Sequence, residues 1–122
     1  MTGARIFLAE DNAWWRKTIK ELLEERGHIV VLEATSLSEG KEKADAAKQI
    51  GVDIAILNYS LGTDLSDGIE IAKILGRKAP DVKTIFWTVA SDRGWGDAYV
   101  PKESPDELLA AVEKFQSELV RR

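Results

Sequence analysis

The 122-residue chain has no cysteine, one histidine, one methionine and three prolines. Without thiols there are no disulfides, cysteine nucleophiles or thiolate metal sites. The lone His28 opens an expected strand, so no Ser–His–Asp set is credible, and a metal or catalytic role for it has little support. No apolar run approaches ~18 residues, so nothing is expected to span a membrane. "MTGARIFLAEDN" turns acidic too soon for a secretory signal, which needs a basic start and a longer apolar stretch. Basic charge is also short: the net charge is −4. Apart from the terminal Arg121 and Arg122 the cations are scattered, which argues against a nucleic-acid surface. No glycine-rich loop follows a strand to cradle a nucleotide phosphate. Repeats, low-complexity tracts and linkers are lacking too, so residues 1–122 are expected to form a single domain, and the lack of cysteine and of a secretory signal fits an expected cytoplasmic setting.

What the chain does have is an apolar pattern that changes period repeatedly. "ARIFLAE" (4–10), "HIVVLEA" (28–34), "DIAILN" (53–58), "KTIFWTV" (83–89) and "AYVP" (98–101) are short and mostly rich in β-branched or aromatic residues, as strands are. Between them lie helical stretches. Trp15, Ile19, Leu22 and Leu23 form one stripe, closed by Gly27. Ser36 and Glu39 have capping-box spacing ahead of Ala44, Ala47 and Ile50. After an irregular "LGTDLSDG" (61–68), Ile69, Ala72 and Leu75 mark a third helix, which ends near Gly76 and Pro80. The last helix has Ser104 as cap, Pro105 at its first position and Glu107 completing the box. Its stripe is Leu108, Val112, Phe115 and Leu119.

Strands alternating with helices imply parallel pairing, right-handed crossovers and a three-layer α/β sandwich. In such sheets, polar side chains at the carboxyl ends of strands converge on one crevice. Glu10 and Asp11, Asn58 and Thr88 end three strands, and Lys102 follows the fifth.

These residues resemble the receiver domain of two-component response regulators over essentially the whole chain. "LAEDN" resembles the family's acidic pair, "AILNYSL" its acceptor strand and "SDGIEIA" its third-helix start. "FWTVA" resembles its switch threonine and "YVPKES" its aromatic-then-lysine segment. The resemblance implies a flavodoxin-like receiver fold, with a five-stranded parallel sheet of order 2-1-3-4-5. It implies that Glu10, Asp11, Asn58 and the backbone carbonyl of Ser60 stand where the family holds Mg²⁺. Thr88 and Tyr99 stand at its switch positions, and Lys102 at its phosphate-pairing position.

Two departures qualify that picture. Asn58 occupies the phospho-acceptor position, and an aspartyl phosphate needs a carboxylate nucleophile. A carboxamide is a poor nucleophile, and losing its charge weakens any Mg²⁺ site. It also relieves like-charge repulsion, roughly 4 kcal/mol for unit charges ~4 Å apart at an effective dielectric of ~20. The amide oxygen is expected to accept a hydrogen bond from Lys102. Second, Thr88 and Lys102 are only 14 positions apart, whereas a parallel crossover usually takes a dozen or more residues and includes a helix. About eight residues at ~3.3 Å each reach roughly 26 Å, enough to return along a short strand but not to wind several turns. The helix between the fourth and fifth strands is therefore expected to be missing or reduced to one turn. Its loss alters the family's usual dimerisation and output face.

Plainer roles compete for the same residues. Glu10 and Asp11 suit a helix N-terminus, Asn58 a turn, Thr88 a solvated strand end, Lys102 the surface and Tyr99 simple packing. One of the neighbours Trp14 and Trp15 should pack inward. Trp95, between two glycines, is expected to be the most exposed aromatic and is a candidate partner contact.

The reading is a non-enzymatic signalling module that works by protein–protein contact with phosphorylation lost. Expected partners are a sensor histidine kinase or a downstream effector, with dimerisation open and no direct nucleic-acid or membrane contact. The alternative is a conventional phospho-accepting receiver in which asparagine replaces aspartate. A third class, a flavin-binding or enzymatic α/β domain, lacks the hydroxyl- or glycine-rich loop it would need after the first strand. The residues leave open whether the chain acts alone or within a larger regulator.

Overall fold

The computed structural model describes residues 3–120, with the side chains followed to Leu119; Arg121 and Arg122 lie outside the described residues. Among the described residues five strands and four helices follow one another in the order β1 (Arg5–Ala9), α1 (Ala13–Glu25), β2 (Ile29–Ala34), α2 (Leu37–Ile50), β3 (Ile54–Leu57), α3 (Asp67–Lys78), β4 (Lys83–Thr88), β5 (Ala98–Pro101) and α4 (Pro105–Val120). All strands pair in parallel, in the order β2-β1-β3-β4-β5. This is the expected flavodoxin-like receiver sheet.

Every residue of β3 is buried, as a central strand covered on both faces requires. Successive side chains alternate between the faces. Ile54, Ile56, Ile85 and Trp87 join one core with Ile19 and Leu23 of α1 and Leu108, Val112 and Phe115 of α4. Ala55, Leu57 and Phe86 join the other, with Ala44 and Ala47 of α2 and Ile71 and Leu75 of α3. Among the stripe residues Ile50, at the end of α2, is exposed, and Trp15, Leu22, Ala72 and Leu119 are only half-buried.

Helix starts follow local chemistry. The Asn12 side chain caps α1 by accepting from the Trp15 N–H at 3.0 Å. The helix-capping role considered for Glu10 and Asp11 thus falls to their neighbour. Ser36 Oγ accepts from the Glu39 N–H, but the Glu39 carboxylate reaches back to the Thr35 N–H at 2.7 Å, one residue short of the expected Ser36. At α4 the Ser104 backbone carbonyl accepts from the Glu107 and Leu108 N–H groups.

The expected missing helix is absent. Residues 89–97, between β4 and β5, contain only bends and irregular backbone. This segment runs over the α2/α3 side of the sheet, where Ala90 packs on that core. Gly96 has φ +81°, and a Cβ there would lie 2.8 Å from Phe86 Cδ2, so a larger residue would push the loop off the sheet.

Candidate functional site at the carboxyl edge of the sheet

Parallel register brings the strand ends together: Ala9 pairs with Leu57, Leu57 with Phe86, and Thr88 with Pro101. The next residues along these strands are Glu10, Asn58 and Lys102, and all three are buried. Backbone bonds hold them in place, from Asn58 N–H to the Ala9 carbonyl at 3.1 Å and from Lys102 N–H to the Thr88 carbonyl at 3.1 Å.

Lys102 Nζ lies 2.6 Å from Glu10 Oε1. Both side chains are almost fully buried at this contact, so it is a sealed ion pair. Glu10 Oε2 accepts from the Asn12 N–H at 3.1 Å and faces the Asn58 amide nitrogen at 3.4 Å. An amide nitrogen there is the favourable orientation, because the amide oxygen would oppose a carboxylate. The expected bond from Lys102 to Asn58 is not what forms: the ammonium goes to the charged Glu10 rather than to the neutral amide. Burial raises the Glu10 pKa above 4.5, against the lowering effects of Lys102 and the Asn12 N–H, and neighbouring Asp11 adds a smaller upward push.

The other expected residues fall into place unevenly. Asp11 is exposed and Ser60 half-buried. Thr88 is sealed rather than solvated, and its Oγ1 accepts from the Ala90 N–H at 3.1 Å. Tyr99 is half-buried and donates its hydroxyl to the Ala90 carbonyl at 2.9 Å. Trp14, 65% exposed, and not Trp95, at 40%, is the more open of those two rings, while Trp15 packs edge-on against Trp87, with Lys102 Nζ 5.6 Å from the Trp15 ring centre. His28 accepts from the Ala4 N–H through Nδ1, a structural role.

Two residues of this edge went unnoticed in the sequence. Asp67 opens α3 and is buried; its Oδ2 accepts from the N–H groups of Leu61, Thr63 and Asp64, which shapes the loop after Asn58. The signal was an aspartate at the first turn of a helix. Tyr59 is fully buried, stacks on Phe86 at 4.3 Å, and accepts from the Arg93 N–H at 3.0 Å. Strand alternation alone would have turned it away from Asn58.

For a divalent ion, the available oxygens are the carboxylates of Glu10 and Asp11, the Asn58 amide oxygen and the Ser60 carbonyl. Mg²⁺ commonly takes one or two carboxylates and completes its octahedron with water. The donor set therefore fits the ion, but Lys102 already neutralises one of the two carboxylates. Among the described residues no cluster of three His, Cys, Asp or Glu side chains could hold a metal.

Residues 6–113 match the family model of the response regulator receiver domain. The chain belongs to the response regulator receiver domain family. The response regulator TrrA of Thermotoga maritima, solved in complex with Mg²⁺ and BeF, is 29% identical, with 94% of this chain and 99% of that one covered and a TM-score of 0.78. A LuxR-family two-component response regulator from an Aurantimonas species is 24% identical over 96% of this chain and 87% of that one, with a TM-score of 0.80. The response regulator domain of Thermotoga maritima CheB is 19% identical over 94% and 97%, with a TM-score of 0.78. A comparison with curated proteins finds no match.

Proposed function

We propose that this receiver domain signals by protein–protein contact and takes no phosphoryl group at Asn58. The observation that carries this reading is the arrangement of Glu10, Asn58 and Lys102. The amide lacks the nucleophilic oxygen that in-line attack on phosphorus requires. Its nitrogen faces Glu10, whose other oxygen lies against Lys102. The lysine that would pair with a phosphate is thereby already engaged.

Glu10, Asp11, Asn58 and Ser60 would hold Mg²⁺ only weakly. When bound, the ion supplies positive charge beside the acceptor position. Thr88 and Tyr99 act as the switch pair, tied through Ala90 to the 89–97 loop. Without a covalent charge, a partner must shift the resting balance through its own preference for one conformer. A tenfold shift takes about 1.4 kcal/mol of differential affinity. A sensor histidine kinase or downstream effector is the partner class, the setting is cytoplasmic, and Trp95 is a contact residue. Domain behaviour over residues 1–122 and dimerisation belong to the same reading.

The test is intact mass measurement after incubation with a small phosphodonor and Mg²⁺. The chain as it stands should gain nothing, and Asn58→Asp should gain one phosphoryl group. A phosphoryl adduct within the crevice of the unchanged chain would refute the reading.

A further inference from the structure

The outward side of α3 carries Glu70, Lys73, Ile74 and Arg77 at helix-face spacing. With Lys41 of α2 they line an open groove of about 250 Å³. Lys41 pairs with Glu70 at 3.4 Å, and beyond the groove Lys78 pairs with Asp45 at 2.8 Å. Among the described residues no ion pair reaches Lys73 or Arg77. On a chain of net charge −4 these are surplus cations concentrated on one face. Beside them, Lys73 Nζ lies 5.4 Å from the centre of the Trp95 ring, which is 40% exposed. The helix-free 89–97 loop, closely fitted to the sheet at Gly96, brings that ring to α3.

We infer that the outward face of α3, from Lys41 to Trp95, docks an acidic segment of a protein partner. This names the partner chemistry for the contact-based reading above and rests on it. Carboxylates would meet Lys73 and Arg77, the latter with its two-pronged guanidinium. An apolar side chain would cover Ile74 and the open edge of Trp95, since aromatic and arginine side chains most often anchor interfaces. Charge complementarity selects the partner and speeds encounter. A long nucleic-acid backbone would extend past the patch onto a surface of net negative charge, whereas a short acidic peptide need not.

The experiment uses the full chain labelled with ¹⁵N. The probes are a dodecapeptide of Asp and Glu with one central Leu, its counterpart with Lys in place of the acids, and a twelve-nucleotide oligo(dT). The acidic peptide should shift the Trp95 indole and the amides of residues 70–78, with binding that weakens as salt rises. Lys73→Glu with Arg77→Glu, both exposed positions, should weaken it at least tenfold while the circular dichroism spectrum stays unchanged. Trp95→Ala should weaken it several-fold. Equal binding to the lysine peptide, an unmoved α3, or indifference to charge reversal overturns the inference, and oligo(dT) binding more tightly at the same residues replaces it with a nucleic-acid surface. The phosphodonor experiment is scored separately: a failed docking face alongside an unmodified crevice leaves the contact-based reading standing.

Discussion

Lys102 Nζ and Glu10 Oε1 are 2.6 Å apart, and their side chains are only 5% and 1% exposed. A buried pair of this kind gives up the hydration of both ions, and its net stabilising effect is small. Losing one partner is another matter, because the survivor is left charged and unpaired in a sealed crevice. Glu10→Gln and Lys102→Met should each cost about 3–5 kcal/mol in denaturant melts. The double variant should recover much of that loss. Additive losses would mean that the two residues contribute independently.

Asn58→Asp tests the other side of the site. The new carboxylate would stand where the amide nitrogen now faces Glu10 Oε2 at 3.4 Å. Like charges at ~4 Å repel by up to about 4 kcal/mol at an effective dielectric of ~20, and Lys102 offsets part of this. Without metal the variant should unfold at lower denaturant than the parent, and millimolar Mg²⁺ should restore most of the difference. The parent should show no micromolar Mg²⁺ response in tryptophan fluorescence, which Trp87 reports from inside the core. A micromolar response would contradict the weakened site.

The missing helix was legible from chain connectivity, whereas the strand order came from the family resemblance. Alternating apolar periods imposed parallel pairing, and 14 positions from Thr88 to Lys102 left no length for a helix. The members of the crevice were legible because each follows a strand end. Their pairing was not. Lys102 can reach several oxygens, and only the packed geometry of the crevice directs it to Glu10 rather than Asn58. Asp67 was hidden within a loop whose composition said only that it turns. Lys41, Lys73 and Arg77 looked scattered along the chain, and became a cluster only when α2 packed on α3.

His28 sets an acid sensitivity. It is 3% exposed and accepts the Ala4 N–H through Nδ1, so its neutral form is the one that fits. Burial lowers its pKa below 6.5, Arg26 adds to that effect, and Glu113 opposes it. A depressed histidine pKa means that the unfolded chain binds the proton first. The stability His28 confers is therefore complete above pH 6.5 and is lost as pH falls from there through the depressed folded value. Urea melts should show the parent losing stability in that window more steeply than His28→Gln, by up to about 1.4 kcal/mol per pH unit. Parallel slopes would remove His28 as the cause.

Two tyrosines hold the helix-free loop from below. Tyr59 accepts the Arg93 N–H at 3.0 Å, and Tyr99 donates to the Ala90 carbonyl at 2.9 Å. Each bond is worth about 1 kcal/mol net, so neither loss should unfold the domain. The loop, however, has no helix of its own to protect its backbone, and these bonds are local to it. Tyr59→Phe should therefore speed amide hydrogen exchange at Arg93 several-fold, while exchange in β3 and β4 changes little. Tyr99→Phe frees a carbonyl rather than an N–H, so its effect should instead appear at the Ala90 amide, which Thr88 Oγ1 holds on the same short turn. Should both variants leave the loop amides unchanged, the tyrosine hydroxyls are not what fixes it, and the fit of Gly96 against Phe86 is left as the principal restraint.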